Sequence, residues 1–110
     1  MDLDPLISFK VFIKFVEDVV GRWWSKDTEI DIVGIDSTSR RALFGEVKWQ
    51  DLDYGEIKTI FADLMRKSKL VETDCDQDEF IVICRSVQQK KKIHDDGYQV
   101  YDLDDIVPIR

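Results

Sequence analysis

The stretch LFGEVKW, residues 43–49, decides how this chain is read. Leu43, Val47 and Trp49 suit a buried strand, yet Glu46 and Lys48 stand two residues apart inside it. Charges in such a run are either a solvated face of a sheet or the working parts of a site. Side chains alternate along a strand, so Phe44, Glu46 and Lys48 share one face.

A partner strand lies just upstream. EIDIVGID, residues 29–36, carries β-branched residues in alternation. The polar stretch 37–40 is turn-forming, so the two segments read as a β-hairpin. A symmetric loop places Val33 opposite Phe44, Asp31 opposite Glu46 and Glu29 opposite Lys48. Like charges directly opposite each other cost up to about 1 kcal/mol. A divalent cation compensates them, and Mg²⁺ takes one or two carboxylates together with water and phosphate oxygens. Lys48 then stands close enough to hold a hydrolytic water or steady a phosphate oxygen. The plainer alternative is that Glu-x-Lys is common in strands, and that Glu29 and Lys48 form an ordinary cross-strand ion pair.

Outward from the hairpin, the chain divides into regular elements. Residues 5–19 read as a helix, with Asp4 as N-cap, Pro5 at the first helical position and an apolar face through Leu6, Phe9, Val16 and Val19. Gly21 ends it. Residues 54–71 form the clearest helix, with Asp53 as N-cap and Ile57, Ile60, Phe61, Leu64, Met65 and Ser68 along one side. EFIVICRS, residues 79–86, is a strand apolar on both faces, as at a sheet centre. A short helix over 87–94, a short strand from Tyr98 and a closing helical turn complete the chain. The order predicts an α/β fold with a mixed sheet flanked by helices, built as one domain over residues 1–110.

Bulk properties bound the function. The chain has 110 residues, 44% hydrophobic and 35% charged, with a net charge of −7. That balance excludes disorder and argues against a protein that coats nucleic acid through general phosphate neutralisation. No apolar run can span a bilayer, and the start has no basic region or cleavage site of a signal peptide. Cys75 and Cys84 lack a zinc-ligand spacing; Cys84 sits in an apolar run as a core residue, and a cytoplasmic setting fits both. Trp23 and Trp24 read as core rather than base-stacking residues. Lys58, Arg66, Lys67 and Lys69 give the second helix a basic side, which is a solvated face or a phosphate-contacting one, with Lys58 best placed for the latter. Lys90 to Lys92 read as a solvated helix end, His94 as a surface residue, and Asp102, Asp104 and Asp105 as decoration of a terminal turn.

Asp31, fourteen residues and then Glu46-Val47-Lys48 resemble the PD-(D/E)XK nuclease superfamily, which includes restriction endonucleases and archaeal Holliday-junction resolvases. Gly21 to Trp24, Glu29 to Val33 and Gly45 to Trp49 are similar to a narrower group, the domain of uncharacterised function at the C-terminus of archaeal AAA/STAND-type ATPases. Val47 stands where that pattern carries Cys. The resemblance implies a restriction-endonuclease-like core of helix, three strands, helix and strand. It implies Mg²⁺ or Mn²⁺ held by Asp31, Glu46 and the Val47 carbonyl, Lys48 acting on the attacking water, and Glu17 on the first helix completing the catalytic set. Two departures stand out. The chain has no P-loop, and FIVICRSVQQKKKI lacks the Phe-Ser-x-x-Gly-Phe stretch that the narrower group carries after its fourth strand.

The expected function is therefore a metal-dependent DNA phosphodiesterase. A second reading is a non-catalytic nuclease-fold accessory or docking domain of an archaeal ATPase, which the acidic net charge favours. A third is a homodimer that binds DNA ends or junctions without cutting. The partners these readings admit are DNA, an ATPase domain or protein, and a second copy of the chain; none is a membrane.

Overall fold

A computed structural model describes the backbone of residues 20–25 and 28–106 and the side chains of residues 28–105. The expected helix over 5–19, with Glu17 on it, and the side chains of Trp23 and Trp24 lie outside the described residues. The described elements are β1 (Val20–Ser25), β2 (Thr28–Asp36), β3 (Arg41–Leu52), α1 (Tyr54–Ser68), β4 (Gln77–Val87), α2 (Lys90–Asp95), β5 (Gln99–Tyr101) and α3 (Leu103–Ile106). The strands form one sheet in the order β1-β2-β3-β4-β5. The β1–β2 and β2–β3 pairs are antiparallel, while β3–β4 and β4–β5 are parallel. Parallel neighbours need a crossover, and α1 and α2 supply the two. The mixed sheet flanked by helices is the architecture the sequence predicts.

The hairpin register is symmetric, as expected from its loop. Asp36 pairs with Arg41, Val33 with Phe44 and Ile32 with Gly45. Asp36 builds the turn itself, its Oδ1 accepting from the Thr38 amide at 3.1 Å and the Ser39 amide at 3.3 Å. Such Asx contacts satisfy loop amides and hold strand ends together.

Helix α1 begins at a capping box. The Asp53 carboxylate accepts from the Glu56 amide at 2.8 Å, and Glu56 accepts in return from the Asp53 amide at 3.1 Å. The two bonds satisfy amides that the first turn leaves orphaned. The helix buries Ile57, Phe61, Leu64 and Ser68 and ends three residues short of the expected Val71. Met65, expected on the apolar side, is exposed. Ile57 and Phe61 pack with Leu52, Val82, Cys84, Ile93 and Val100, and Leu64 packs with Ile30, Ala42 and Phe44. α1 thereby lies across β2, β3 and β4, and its C-terminal turn reaches the β2–β3 boundary. Cys75 and Cys84 are free thiols, and burial pushes the Cys84 thiol up to about 11. Among the described residues no helix is long and apolar enough to cross a membrane.

Three charged groups sit differently from expectation. Asp102 and Asp105 are buried rather than decorating a turn. Lys90, expected on a solvated helix end, bridges them, with Nζ 3.1 Å from Asp102 and 2.7 Å from Asp105. The Asp102 carboxylate also accepts from the amides of Asp104 and Asp105, and Asp105 accepts from the Asp102 amide. A buried carboxylate needs this many donors to offset lost hydration. His94 is half-buried, its Nε2 2.9 Å from the Val100 carbonyl oxygen.

Candidate functional site

The sheet forks beside Asp31 and Glu46. The β2–β3 pairing runs as far as Ile32–Gly45. Beyond that point β2 continues its ladder with β1, through Ile30–Trp23 and Glu29–Trp24. β3 continues with β4, through Glu46–Val82 and Val47–Ile83. Asp31 bridges the parting strands, its Oδ2 accepting from the Val47 amide at 2.9 Å. Gly45 permits the close packing at the last pair. A Cβ there would lie 3.1 Å from Ile32 Cβ and 3.1 Å from Ile81 Cγ1.

Glu46 is buried at 7% exposure, on the sheet face covered by α1. Burial pushes its carboxyl above the ordinary value; contact with Lys67 opposes the rise, and the neighbouring Asp31 carboxylate reinforces it through repulsion and direct contact. The two acidic side chains therefore converge on one side of the sheet. They line a cleft of about 550 Å³ together with Glu29, Val47, Lys48, Arg66 and Lys67.

Lys67 supplies the local counter-charge. Its Nζ lies 3.1 Å from Glu46 Oε1, 3.0 Å from the Glu29 carbonyl oxygen and 3.4 Å from Asp63 Oδ2. Burial works against this ammonium, but its contacts with Glu46 and Asp63 outweigh that and raise its pKa. In a simple ion pair the carboxyl would move down while the lysine moves up. Here both move up, because Glu46 is buried and faces a second carboxylate that Lys67 alone does not offset.

Lys48 lines this cleft and also a neighbouring one at the start of α1, of about 540 Å³, beside Gln50, Asp53 and Thr59. Among the described residues no acidic side chain pairs with it, so the Glu29–Lys48 ion pair of the plainer alternative does not form. The reason is the fork, which separates β2 from β3 before those positions come opposite each other. The same parting corrects a second expectation. Val47 and Trp49 are exposed, at 43% and 51%, rather than buried.

Of the residues read as a site, Asp31, Glu46, Val47 and Lys48 line one cleft, whereas Glu17 lies outside the described residues. Lys58 is not at the cleft; its ammonium lies over the Tyr54 ring, which Lys92 also approaches. Lys67 and Arg66 occupy the place beside the carboxylates instead. No sequence pattern singles out Lys67, because a helix C-terminal turn reaches the fork only through tertiary packing. Among the described residues no group of three or more His, Cys, Asp or Glu converges, so the acidic set there is a pair.

Comparison with known proteins agrees with this architecture. An uncharacterized protein of Methanocaldococcus jannaschii is 35% identical over 96 residues, a match covering 87% of this chain and 21% of that protein. The chain thus spans about a fifth of that relative's length. A repair endonuclease from Pyrococcus abyssi, 13% identical, superposes with a TM-score of 0.50 over 94% of this chain and 48% of that one. At such identity the likeness shows the fold alone, and that fold is restriction-endonuclease-like. The model of the DUF234 family, described as archaeal and bacterial proteins of unknown function, matches residues 6–60, half of the chain. The chain belongs to the DUF234 family.

Proposed function

We propose that the chain is the nuclease module of a longer protein, cleaving DNA phosphodiesters with the help of Mg²⁺ or Mn²⁺ bound at the fork. The observation that carries this reading is the convergence of the Asp31 and Glu46 carboxyl groups in one open cleft, with Lys48 beside them. The donors suit a small hard cation. Two carboxylates and the Val47 carbonyl are oxygen ligands, and Mg²⁺ keeps several waters in such sites. Burial and mutual repulsion disfavour charge on Glu46, and a divalent ion would relieve both.

When bound, such an ion supplies Lewis-acid polarisation of a phosphate oxygen and a lowered pKa for a coordinated water. The chain's own residues do the rest. Asp31 fixes the fork by accepting from the Val47 amide, which holds the Glu46–Val47–Lys48 segment in place. Lys48, exposed and unpaired among the described residues, is available to orient the attacking water and to stabilise charge that develops on the phosphate. Arg66, at the rim of the cleft, is available to a flanking phosphate. The shared fold with a repair endonuclease from Pyrococcus abyssi supports the choice of DNA as substrate class. The sequence likeness to domains appended to archaeal AAA/STAND-type ATPases supports attachment to such a partner in the cytoplasm.

A second reading is a docking domain on the same scaffold, favoured by the net charge of −7. A cleavage assay separates the two. Single-stranded, duplex and branched DNA are incubated with the chain and Mg²⁺ or Mn²⁺, beside Asp31→Ala and Lys48→Ala. Cleavage by the wild type that falls at least about a hundredfold in both variants, with both still folded, supports the nuclease. Absence of metal-dependent cleavage on every substrate, together with no metal-dependent thermal shift, supports the docking domain.

A further inference from the structure

Lys67 makes three contacts that resemble the shell of a small cation. Its three ammonium protons face three oxygens: Glu46 Oε1 at 3.1 Å, the Glu29 carbonyl at 3.0 Å and Asp63 Oδ2 at 3.4 Å. An ammonium has three donors and no acceptor, so this set uses it fully. The Lys67 side chain is 17% exposed and that of Glu46 9%, so water screens the pair weakly. Lys67 also draws from both strands of the fork, through the Glu29 carbonyl on β2 and the Glu46 carboxylate on β3. It therefore ties the strands together at the place where their own ladder has ended.

We propose that Lys67 is a tethered counter-cation of the Asp31–Glu46 pair, which keeps the fork closed without a divalent ion and lowers the affinity with which one binds. This rests on reading the cleft as a divalent-metal site. Two cations cannot share one carboxylate oxygen without mutual repulsion. A divalent ion that takes Glu46 Oε1 therefore displaces Lys67 toward Asp63, the remaining carboxylate within its reach on α1. The affinity of the site is then set by a competition whose other member is part of the fold. Lys67 is a positioning residue here, since it acts on Glu46 rather than on substrate.

The test titrates Mn²⁺ into the full 110-residue chain by calorimetry, with melting curves in chelator and in Mn²⁺. The variants are Lys67→Met, Lys67→Gln, which keeps a hydrogen-bond donor but no charge, and Lys67→Arg, which keeps the charge. The expected result is Mn²⁺ binding tightened about tenfold in Lys67→Met and Lys67→Gln but not in Lys67→Arg. Melting temperatures of the two neutral variants fall in chelator and recover in Mn²⁺ by more than the wild type gains. A merely structural lysine would lower stability without tightening metal binding. Unchanged or weaker Mn²⁺ binding in the neutral variants, with wild-type binding intact, overturns the role of Lys67 while leaving the metal site standing. Absence of Mn²⁺ binding in the wild type and all variants overturns the metal reading and this inference together. If Lys67→Met does not fold, Lys67→Gln decides alone.

Discussion

Two lysines in this protein each sit between a pair of carboxylates, and they are set up differently. Lys90 bridges Asp102 and Asp105 at 3.1 and 2.7 Å, and those carboxylates also accept backbone amides at the start of α3. Lys67 bridges Glu46 and Asp63 at 3.1 and 3.4 Å, but Glu46 faces the further carboxylate of Asp31 and opens on a cleft. The first cluster is closed on itself and ties α2 to α3. In the second, burial and the neighbouring Asp31 carboxylate push the Glu46 carboxyl up. Similar residue types thus make a structural clip in one place and a candidate site in the other, and donor count separates them.

The contrast between the two clusters breaks most readily through Lys90. Lys90→Met leaves two buried carboxylates without their cation, and a loss of about 2 kcal/mol or more is expected, given partial exposure of the lysine. Denaturant unfolding checks this, and Mn²⁺ should restore none of it. Recovery in Mn²⁺ would mean that the two clusters are alike.

Gly45→Ala probes the fork itself. Its new methyl group would press on Ile32 and Ile81, and overpacking of this kind costs about 1–3 kcal/mol. Metal-dependent cleavage should fall with it, while the Lys90 clip between α2 and α3 keeps its hydrogen-exchange protection. Uniform loss of protection would show that the fork and the clip unfold as one unit.

The smallest effect is a pH dependence. Glu46 has a raised pKa in the fold, so its contribution to stability is fully present below the ordinary value of 4.5 and is lost as pH rises through the raised value. The charged form of this buried group is the liability. Glu46→Gln should therefore gain in melting temperature over the wild type between pH 4 and pH 7. A constant difference across that range would show that the pair with Lys67 already compensates Glu46 in full.

The hairpin and α1 are legible in the sequence because local rules specify them. Alternation and a polar loop fix the register from Ile32 to Asp36, and Asp53 with Glu56 marks the start of α1. The common side of Asp31 and Glu46 follows from that register. Lys67 is not legible as a neighbour of Glu46, since 21 residues separate them and only the packing of Leu64 against Phe44 brings the helix end there. The clip is hidden for a related reason: Asp102 and Asp105 look like surface residues until Lys90 closes over them. Val47 and Trp49 look buried in the sequence because strand alternation gives no sign of where two strands part.

Nuclease chemistry at the fork requires that Asp31 and Glu46 grip one divalent cation between them. Titration of Mn²⁺ into the wild-type chain and into Asp31→Asn, followed by the loss of the free-ion paramagnetic resonance signal, tests this most directly. One ion per wild-type chain is expected, with binding weakened at least about tenfold in Asp31→Asn and both proteins equally folded in chelator. Equal Mn²⁺ binding by the two proteins, or none by the wild type, would contradict a metal site at the fork.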